Sequence, residues 1–281
     1  MIADASAPVQ GPFEAIVLAG RRATTDPFAA SRGMPRKCLL PVAGVPMLVR
    51  VVEALAASPS VGRIIVSIDE PRALNKLDRL QNLRSAQRLC VVASAATPSL
   101  SALAAAADLP HAQPALITTA DNVLLSATVV EWFCRQARLV DADLIVALAA
   151  ADVVLQRYPE AQRTFFRFRC GSYTGCNLFA VTASSGWSAV RFWRRVEEDR
   201  KKPWRLAGAF GIVPLLRYVA GRLSLDEALD LASVRMAAKV AALLLPFPEV
   251  AIDVDSESDL ALAEKILEQG FMNANPKAGR T

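Results

Sequence analysis

Residues 14–48 read EAIVLAGRRATTDPFAASRGMPRKCLLPVAGVPML, and the order of chemistry along them organises the chain. The short apolar run Ala15 to Ala19 has the length and continuity of a buried strand. Gly20 ends it. A turn-rich loop carrying Arg21, Arg22, Arg32 and Arg36 follows and closes on Lys37. A second apolar patch from Cys38 to Val42 leads through Gly44-Val45-Pro46 into a helix expected from Met47. Backbone N–H groups in a tight turn converge on an anion, and a lysine ammonium adds a point charge, so strand, Gly turn and Lys together suit a phosphate cradle. A long basic surface loop after a first core strand is the plainer reading. The stretch is neither a GxGxxG fingerprint nor a GxxxxGK[ST] loop.

Working outward, apolar strands and helices alternate. Strands are expected at 63–68, 89–93, 114–120 and 143–149. Helices are expected from Pro46 to Ser58, over 70–87, from Thr97-Pro98 to Asp108 and from Ser126 to Val140. Continuous apolar strands separated by helices argue for a parallel sheet covered on both faces, with ligands outside the carboxyl ends of its strands. The second half changes character. Residues 163–169 and 174–181 flank Gly171-Ser172 as paired strands, and a helical region rich in Trp and Arg spans 184–239. Strand character returns over 243–253, and Ser256-Glu257-Ser258-Asp259 forms an S-x-x-D cap before a last helix, Leu260 to Glu268. The expected organisation is one domain over 1–270 with a helical elaboration at about 184–240, then a C-terminal tail over 271–281.

Composition narrows the chemistry. A net charge of +5, carried mostly by Arg, suits an anionic small molecule and argues against nucleic acid as partner. Five cysteines stand singly without CxxC pairs, the pattern of reduced thiols in a cytoplasmic protein. The one histidine, His111, lies in a Leu-Pro-His turn, so neither a His-rich metal site nor a Ser/His/Asp nucleophile set is available. No uncharged apolar run approaches the roughly 20 residues of a membrane-spanning helix, and the first dozen residues lack a signal-peptide core.

The LAG run, the basic loop and PRKCLLPVAGVPML together resemble the N-terminal signature of nucleotidyltransferases, L-A-[AG]-G, a loop, then P-K-x-L-x-x-[VI]-x-G-x-P-M-[LI]. That family includes sugar-phosphate nucleotidyltransferases and the molybdenum-cofactor guanylyl- and cytidylyltransferases. Its usual G-x-G-x-R-M run is replaced here by Gly20-Arg21-Arg22-Ala23-Thr24-Thr25. Further along, Thr118-Thr119-Ala120-Asp121 resembles the L-x-T-x-[AG]-D segment, and Asp253-Val254-Asp255-Ser256-Glu257-Ser258-Asp259-Leu260 resembles the closing D-[IV]-D-T-P-E-D-L.

The resemblance implies a three-layer α/β/α sandwich with a mostly parallel sheet, of the nucleotide-diphospho-sugar transferase, GT-A-like type, plus a helical insertion. It implies Mg²⁺-dependent transfer of NMP from an NTP to a phosphorylated small-molecule acceptor. Asp121 and Asp255 would hold the metal, with Asp253 on the same side of an extended chain. Ala19, Gly20 and Arg21 would cradle phosphates and Lys37 would offset charge at the α-phosphate. Ser99 and Ser101 would lie beside the base, where helix capping is the alternative use of their hydroxyls, and Asn177 would meet the acceptor. Turn or N-cap duty is the alternative for Asp121 and for the 253–259 motif, and an ordinary hairpin position for Asn177. Two other functions share the fold. One is a glycosyltransferase using a nucleotide-sugar, although Asp121-Asn122-Val123 lacks the second Asp of an Asp-x-Asp motif. The other is a non-catalytic nucleotide-binding relative.

Trp187, Val190, Trp193 and Val196 recur every three residues beside Arg191, Arg194 and Arg195. That arrangement suits a core-packed helix with a solvated basic side, or a surface for an anionic acceptor or a membrane.

Overall fold

The computed structural model describes residues 11–21, 26–107, 109, 113–199 and 211–274, with side chains at 195–199 and 271–274 excepted. His111, Arg22, the Arg195 side chain and the basic run 200–205 lie outside the described residues. The chain opens with β1 (Phe13–Leu18), α1 (Pro27–Ser31), a 3-10 turn (Lys37–Leu39), the small ladder β2 (Pro41–Val42) with β3 (Val45–Pro46), and α2 (Met47–Ala56). It continues through β4 (Val61–Ile68), α3 (Gln81–Ser85), β5 (Leu89–Ala93), α4 (Pro98–Ala106), β6 (Ala115–Thr119), α5 (Ala127–Ala137), β7 (Leu144–Ala150) and α6 (Ala151–Arg157). The last third holds β8 (Phe166–Phe168), β9 (Gly171–Val181), α7 (Gly186–Asp199), α8 (Ile212–Val219), α9 (Leu225–Met236), β10 (Val240–Leu244) and α10 (Glu257–Ala274).

The main sheet runs β10-β7-β9-β6-β1-β4-β5, with β8 paired to β9. β1, β4, β5 and β6 are parallel in register, as are β7 and β10, while β9 runs antiparallel between β6 and β7. Period-two alternation sorts the side chains. Ala15 and Val17 face one core with α2, α5 and α10, and Ile16 faces a second with α4, α7 and α9. The result is the three-layer α/β/α sandwich with a mostly parallel sheet. Local signals set several helix starts. Thr97 caps α4 by accepting from Leu100 N–H at 3.3 Å, with Pro98 behind it. Ser126 does the same for α5 through Val129 N–H, at 3.3 Å.

Four expectations need correction. Residues 70–87 form two 3-10 turns, Pro71–Lys76 and Asp78–Leu80, and then α3. Leu74, Leu77, Leu80 and Leu83 are spaced by three, the period of a 3-10 helix rather than an α-helix. The strand expected at 243–253 is confined to Val240–Leu244, because Pro246 and Pro248 break the ladder and a 3-10 turn spans Pro248–Ala251. The last helix starts three residues early, at Glu257, and runs through Ala274, past the expected boundary at 270. The helical face expected on α7 is displaced: Ala189 and Val190 are buried and Trp187 and Phe192 pack beside them, whereas Trp193 is half exposed.

Candidate active site

After β1 the chain crosses to β4 on one side, and later returns to place β6 on the other side. The carboxyl ends of β1 and β6 therefore flank a topological switch point, where connections diverge and leave a crevice. Ala120 N–H donates to Leu18 O at 3.0 Å, and Ala19 N–H donates to Ser67 O at 2.8 Å, so both strand ends are tied to their neighbours. Gly20 follows. A Cβ there would fall 2.7 Å from the Ser94 side chain, so only glycine lets the chain leave β1 this close to the loop after β5.

Lys37 opens the first 3-10 turn, and its side chain is 17% exposed. Its Nζ donates to Asp121 Oδ2 at 2.7 Å and also to Asp255 Oδ1. Asp121 stands just past β6, and Thr119 Oγ1 donates to its other oxygen at 2.5 Å. Asp255 arrives from the far end of the chain. Val254 N–H donates to Asp121 O at 3.2 Å and brings the two carboxylate-bearing segments side by side. Asp259 turns back to accept from Asp255 N–H at 3.2 Å and from Ser256 Oγ at 2.6 Å, and Ser256 Oγ accepts from Asp259 N–H at 3.3 Å. The S-x-x-D cap thus fixes the residue that carries the outer carboxylate. Burial works against the Lys37 ammonium, but the charges of Asp121 and Asp255 outweigh it and hold its pKa above the ordinary lysine value. Lys37 is a permanent cation at neutral pH.

A second cation cluster lies at the end of β4. Arg36, almost fully buried, places Nε 3.3 Å from Asp69 Oδ1 and Nη2 3.1 Å from Asp69 Oδ2, and also reaches Glu70 at 2.6 Å. Arg21 Nε donates to the same Asp69 at 2.8 Å. Burial would raise the Asp69 pKa, yet its arginine partners hold it below the usual carboxylate value. Arg21, expected in the phosphate cradle, is therefore engaged with a carboxylate of β4's end.

The remaining expected residues separate. Asn177 does reach the crevice, but its Nδ2 donates to Asp253 Oδ2 at 2.8 Å. Arg163, which sequence reasoning missed, pairs with the other oxygen of Asp253. Asp253 and Asp255 thus serve different partners despite their shared parity. Ser101 is buried and its hydroxyl accepts from Ala95 N–H at 2.9 Å, shaping the loop before α4. Ser99 is buried in the first turn of the same helix. Asn122 turns into the core, donating to Cys176 O at 3.0 Å, and Val123 is buried, so no second carboxylate follows Asp121. Burial pushes the Cys38 and Cys176 thiols up to about 12, which leaves neither as a thiolate.

A family model described as "MobA-like NTP transferase domain" matches residues 15–245. The chain belongs to that family. It is accordingly a nucleotidyltransferase. A solved "hypothetical transferase" from Thermus thermophilus is 29% identical, with a TM-score of 0.74 over 89% of this chain and 100% of that one. A 4-diphosphocytidyl-2C-methyl-D-erythritol synthase from Anaerococcus prevotii is 12% identical, with a TM-score of 0.56 over 92% of this chain and all of that one. A CMP:2-keto-3-deoxy-manno-octonic acid synthetase complexed with CTP is 11% identical, with a TM-score of 0.55 over the same shares. These last two share the fold. No curated protein matches the chain.

Among the described residues, no three His, Cys, Asp or Glu side chains gather as a metal cage. What does converge is the pair Asp121 and Asp255, close enough that one ammonium touches both. Two carboxylates with the rest of the shell left to phosphate oxygens and water is the donor set that Mg²⁺ takes in nucleotide enzymes. The residues fit such a metal. No helix among the described residues is long and apolar enough to cross a membrane.

Proposed function

We propose that this MobA-like protein transfers NMP from a Mg²⁺-bound NTP to a phosphorylated small-molecule acceptor and releases pyrophosphate. The observation that carries the reading is the Lys37 ammonium set between Asp121 and Asp255 at the switch point of the sheet. An acceptor phosphate oxygen attacks the α-phosphorus, the bond to the bridging oxygen of the β-phosphate breaks, and pyrophosphate leaves with that oxygen. The second pKa of a phosphate monoester is about 6, so the nucleophile is already ionised at neutral pH and needs no general base. Asp121 and Asp255 would hold the metal, which supplies charge neutralisation to the triphosphate and the leaving pyrophosphate.

Lys37, whose ammonium stays protonated, follows the negative charge that grows on the α-phosphate as the new bond forms. The backbone of Gly20, held close to Ser94, offers its N–H to the phosphates, whereas the Ala19 N–H is spent on Ser67 O at 2.8 Å. Catalysis in this arrangement is alignment and charge stabilisation. The fold relatives named for cytidylyl transfer or bound to CTP make CTP the first nucleotide to try.

The test is pyrophosphate release from each of the four NTPs over a panel of phosphorylated metabolites with Mg²⁺. Release that depends on one acceptor and disappears in Asp121→Asn supports the proposal. Free NDP from an NDP-sugar, with no pyrophosphate from any NTP, would replace it with glycosyl transfer.

A further inference from the structure

The two oxygens of Asp253 are held by two different side chains. Asp253 is 8% exposed, Arg163 pairs with Oδ1, and Asn177 donates to Oδ2. Asn177 is placed for this by a fault in the ladder. Between β9 and β7, Phe179 faces Val146 and Gly175 faces Leu148, so four steps along one strand match two along the other. Asn177 lies in that bulge with φ of 47°, a left-handed conformation that asparagine tolerates better than most residues. Bulges of this kind re-aim a side chain, here out of the sheet and onto Asp253.

The contacts close a ring. Asn122, next to Asp121, holds Cys176 O at 3.0 Å; Asn177, next to Cys176, holds Asp253; and Val254, next to Asp253, returns to Asp121 O at 3.2 Å. Asp121 and Asp255 both hang from this ring. Arg163 enters it from the segment before β8 and, among the contacts with the Asp253 carboxylate, supplies the positive charge. A carboxylate already bound to a guanidinium and a carboxamide is poorly available to a cation, while the same grip holds the backbone two residues before Asp255.

We propose that Arg163 is a positioning residue, acting through Asp253 and Asn177 to set the Asp255 carboxylate opposite Asp121, and that Asp253 is not itself a metal ligand. The inference rests on the nucleotidyl-transfer reading, since it concerns the carboxylate pair that reading assigns to the metal. Groups that orient metal ligands from behind typically change metal affinity by about 10- to 100-fold when removed.

The experiment measures NTP affinity by titration calorimetry, once with Mn²⁺ and once in EDTA, together with the melting temperature. The ratio of the two affinities reads the metal alone. Arg163→Met strands a buried carboxylate and should melt lower. The double variant Arg163→Met/Asp253→Asn removes that charge and should melt close to wild type. Its Mn²⁺-linked gain in NTP affinity should nevertheless stay about 10- to 100-fold below wild type, with unchanged affinity in EDTA. Recovery of the full Mn²⁺-linked gain along with the melting temperature would overturn the proposal, leaving Arg163 as a support of the fold. Loss of the whole gain in Asp253→Asn, as in Asp121→Asn, would also overturn it and make Asp253 a ligand. A wild-type chain with no Mn²⁺-linked gain for any of the four NTPs would overturn the nucleotidyl-transfer reading and this inference with it.

Discussion

Two clusters, one on each side of β1, set a central cation between two carboxylates, the first with Arg21 as a second guanidinium on Asp69, and their chemistry differs. At the end of β4, Arg36 is buried and lays its fork across Asp69, with Glu70 beside it. At the end of β6, Lys37 presents a single ammonium to Asp121 and to the exposed Asp255. A guanidinium holds a carboxylate through a planar pair of N–H bonds and loses that geometry if it moves. An ammonium on a flexible stem is a point charge that can exchange a carboxylate for a phosphate. The arginine cluster fastens the loop that follows β1, and the lysine cluster is free to take part in chemistry. On the proposed function, residue type at the centre of each cluster, more than the number of charges, separates architecture from catalysis.

The comparison can be broken most severely at Asp121. Asp121→Asn should lower pyrophosphate release by about a thousandfold, since loss of a metal-binding carboxylate removes several kcal/mol of transition-state stabilisation. Its melting temperature should remain close to wild type, and a near-normal rate at limiting Mg²⁺ would remove Asp121 from the metal site.

Lys37→Ala comes next, with kcat lowered by about 100-fold and KM for the NTP changed far less, as expected for a charge that acts on the transition state. The same variant sharpens the contrast in another measurement. With the internal ammonium gone, Asp121 and Asp255 should bind Mn²⁺ more tightly in the nucleotide-free chain, which calorimetry can read directly. An effect on KM alone would demote Lys37 to a binding residue.

Arg36→Met should show the reverse pattern. Removal of a charged hydrogen-bonding group from Asp69 should cost about 2 kcal/mol of stability, seen as a lower midpoint in urea. The rate per folded molecule should fall less than in Lys37→Ala. A rate loss equal to that of Lys37→Ala would erase the distinction between the clusters.

The smallest effect concerns pH. The Asp69 carboxyl is held below its usual value in the fold, so its contribution is present above the unfolded value, about 4, and is lost as pH falls through the folded one. Asp69→Asn should therefore flatten the acid limb of the stability curve. The Lys37 pKa is raised, so its contribution is complete below the unfolded value of about 10.4 and is lost only as pH climbs through the folded value. The log of kcat should accordingly show no break from Lys37 between about pH 7 and 9.

Legibility in the sequence followed the same divide. In the parallel half, β1, β4, β5, β6 and β7 were readable because buried strands are continuous apolar runs, and α4 and α5 because they carry side-chain caps at Thr97 and Ser126. Lys37 and Asp121 could be singled out because each ends a short, strongly patterned segment. The antiparallel insertion of β9 between β6 and β7 was not legible, because pairing partners leave no mark on the strand's own alternation. Arg163 was hidden for a related reason. In Arg163-Thr164-Phe165-Phe166-Arg167-Phe168-Arg169 three arginines look alike, and only the bulge at Asn177 and the arrival of Asp253 select one of them for burial. Asp253 and Asp255 share a face by parity, yet Asn177 and Lys37, brought from distant elements, divide them.

The pairing of Lys37 with Asp255, 218 residues further along, has a consequence for synthesis. Every described strand of the main sheet lies at or before Leu244. A chain emerging from the ribosome can thus complete its sheet, including the ends of β1 and β6, before the second carboxylate exists outside the exit tunnel. The nascent protein would hold its strands together with one face of the core still open where α10 packs, and without the second carboxylate. Activity would switch on as a late, discrete event, when the stretch through Asp255 docks against Asp121 and α10 covers it.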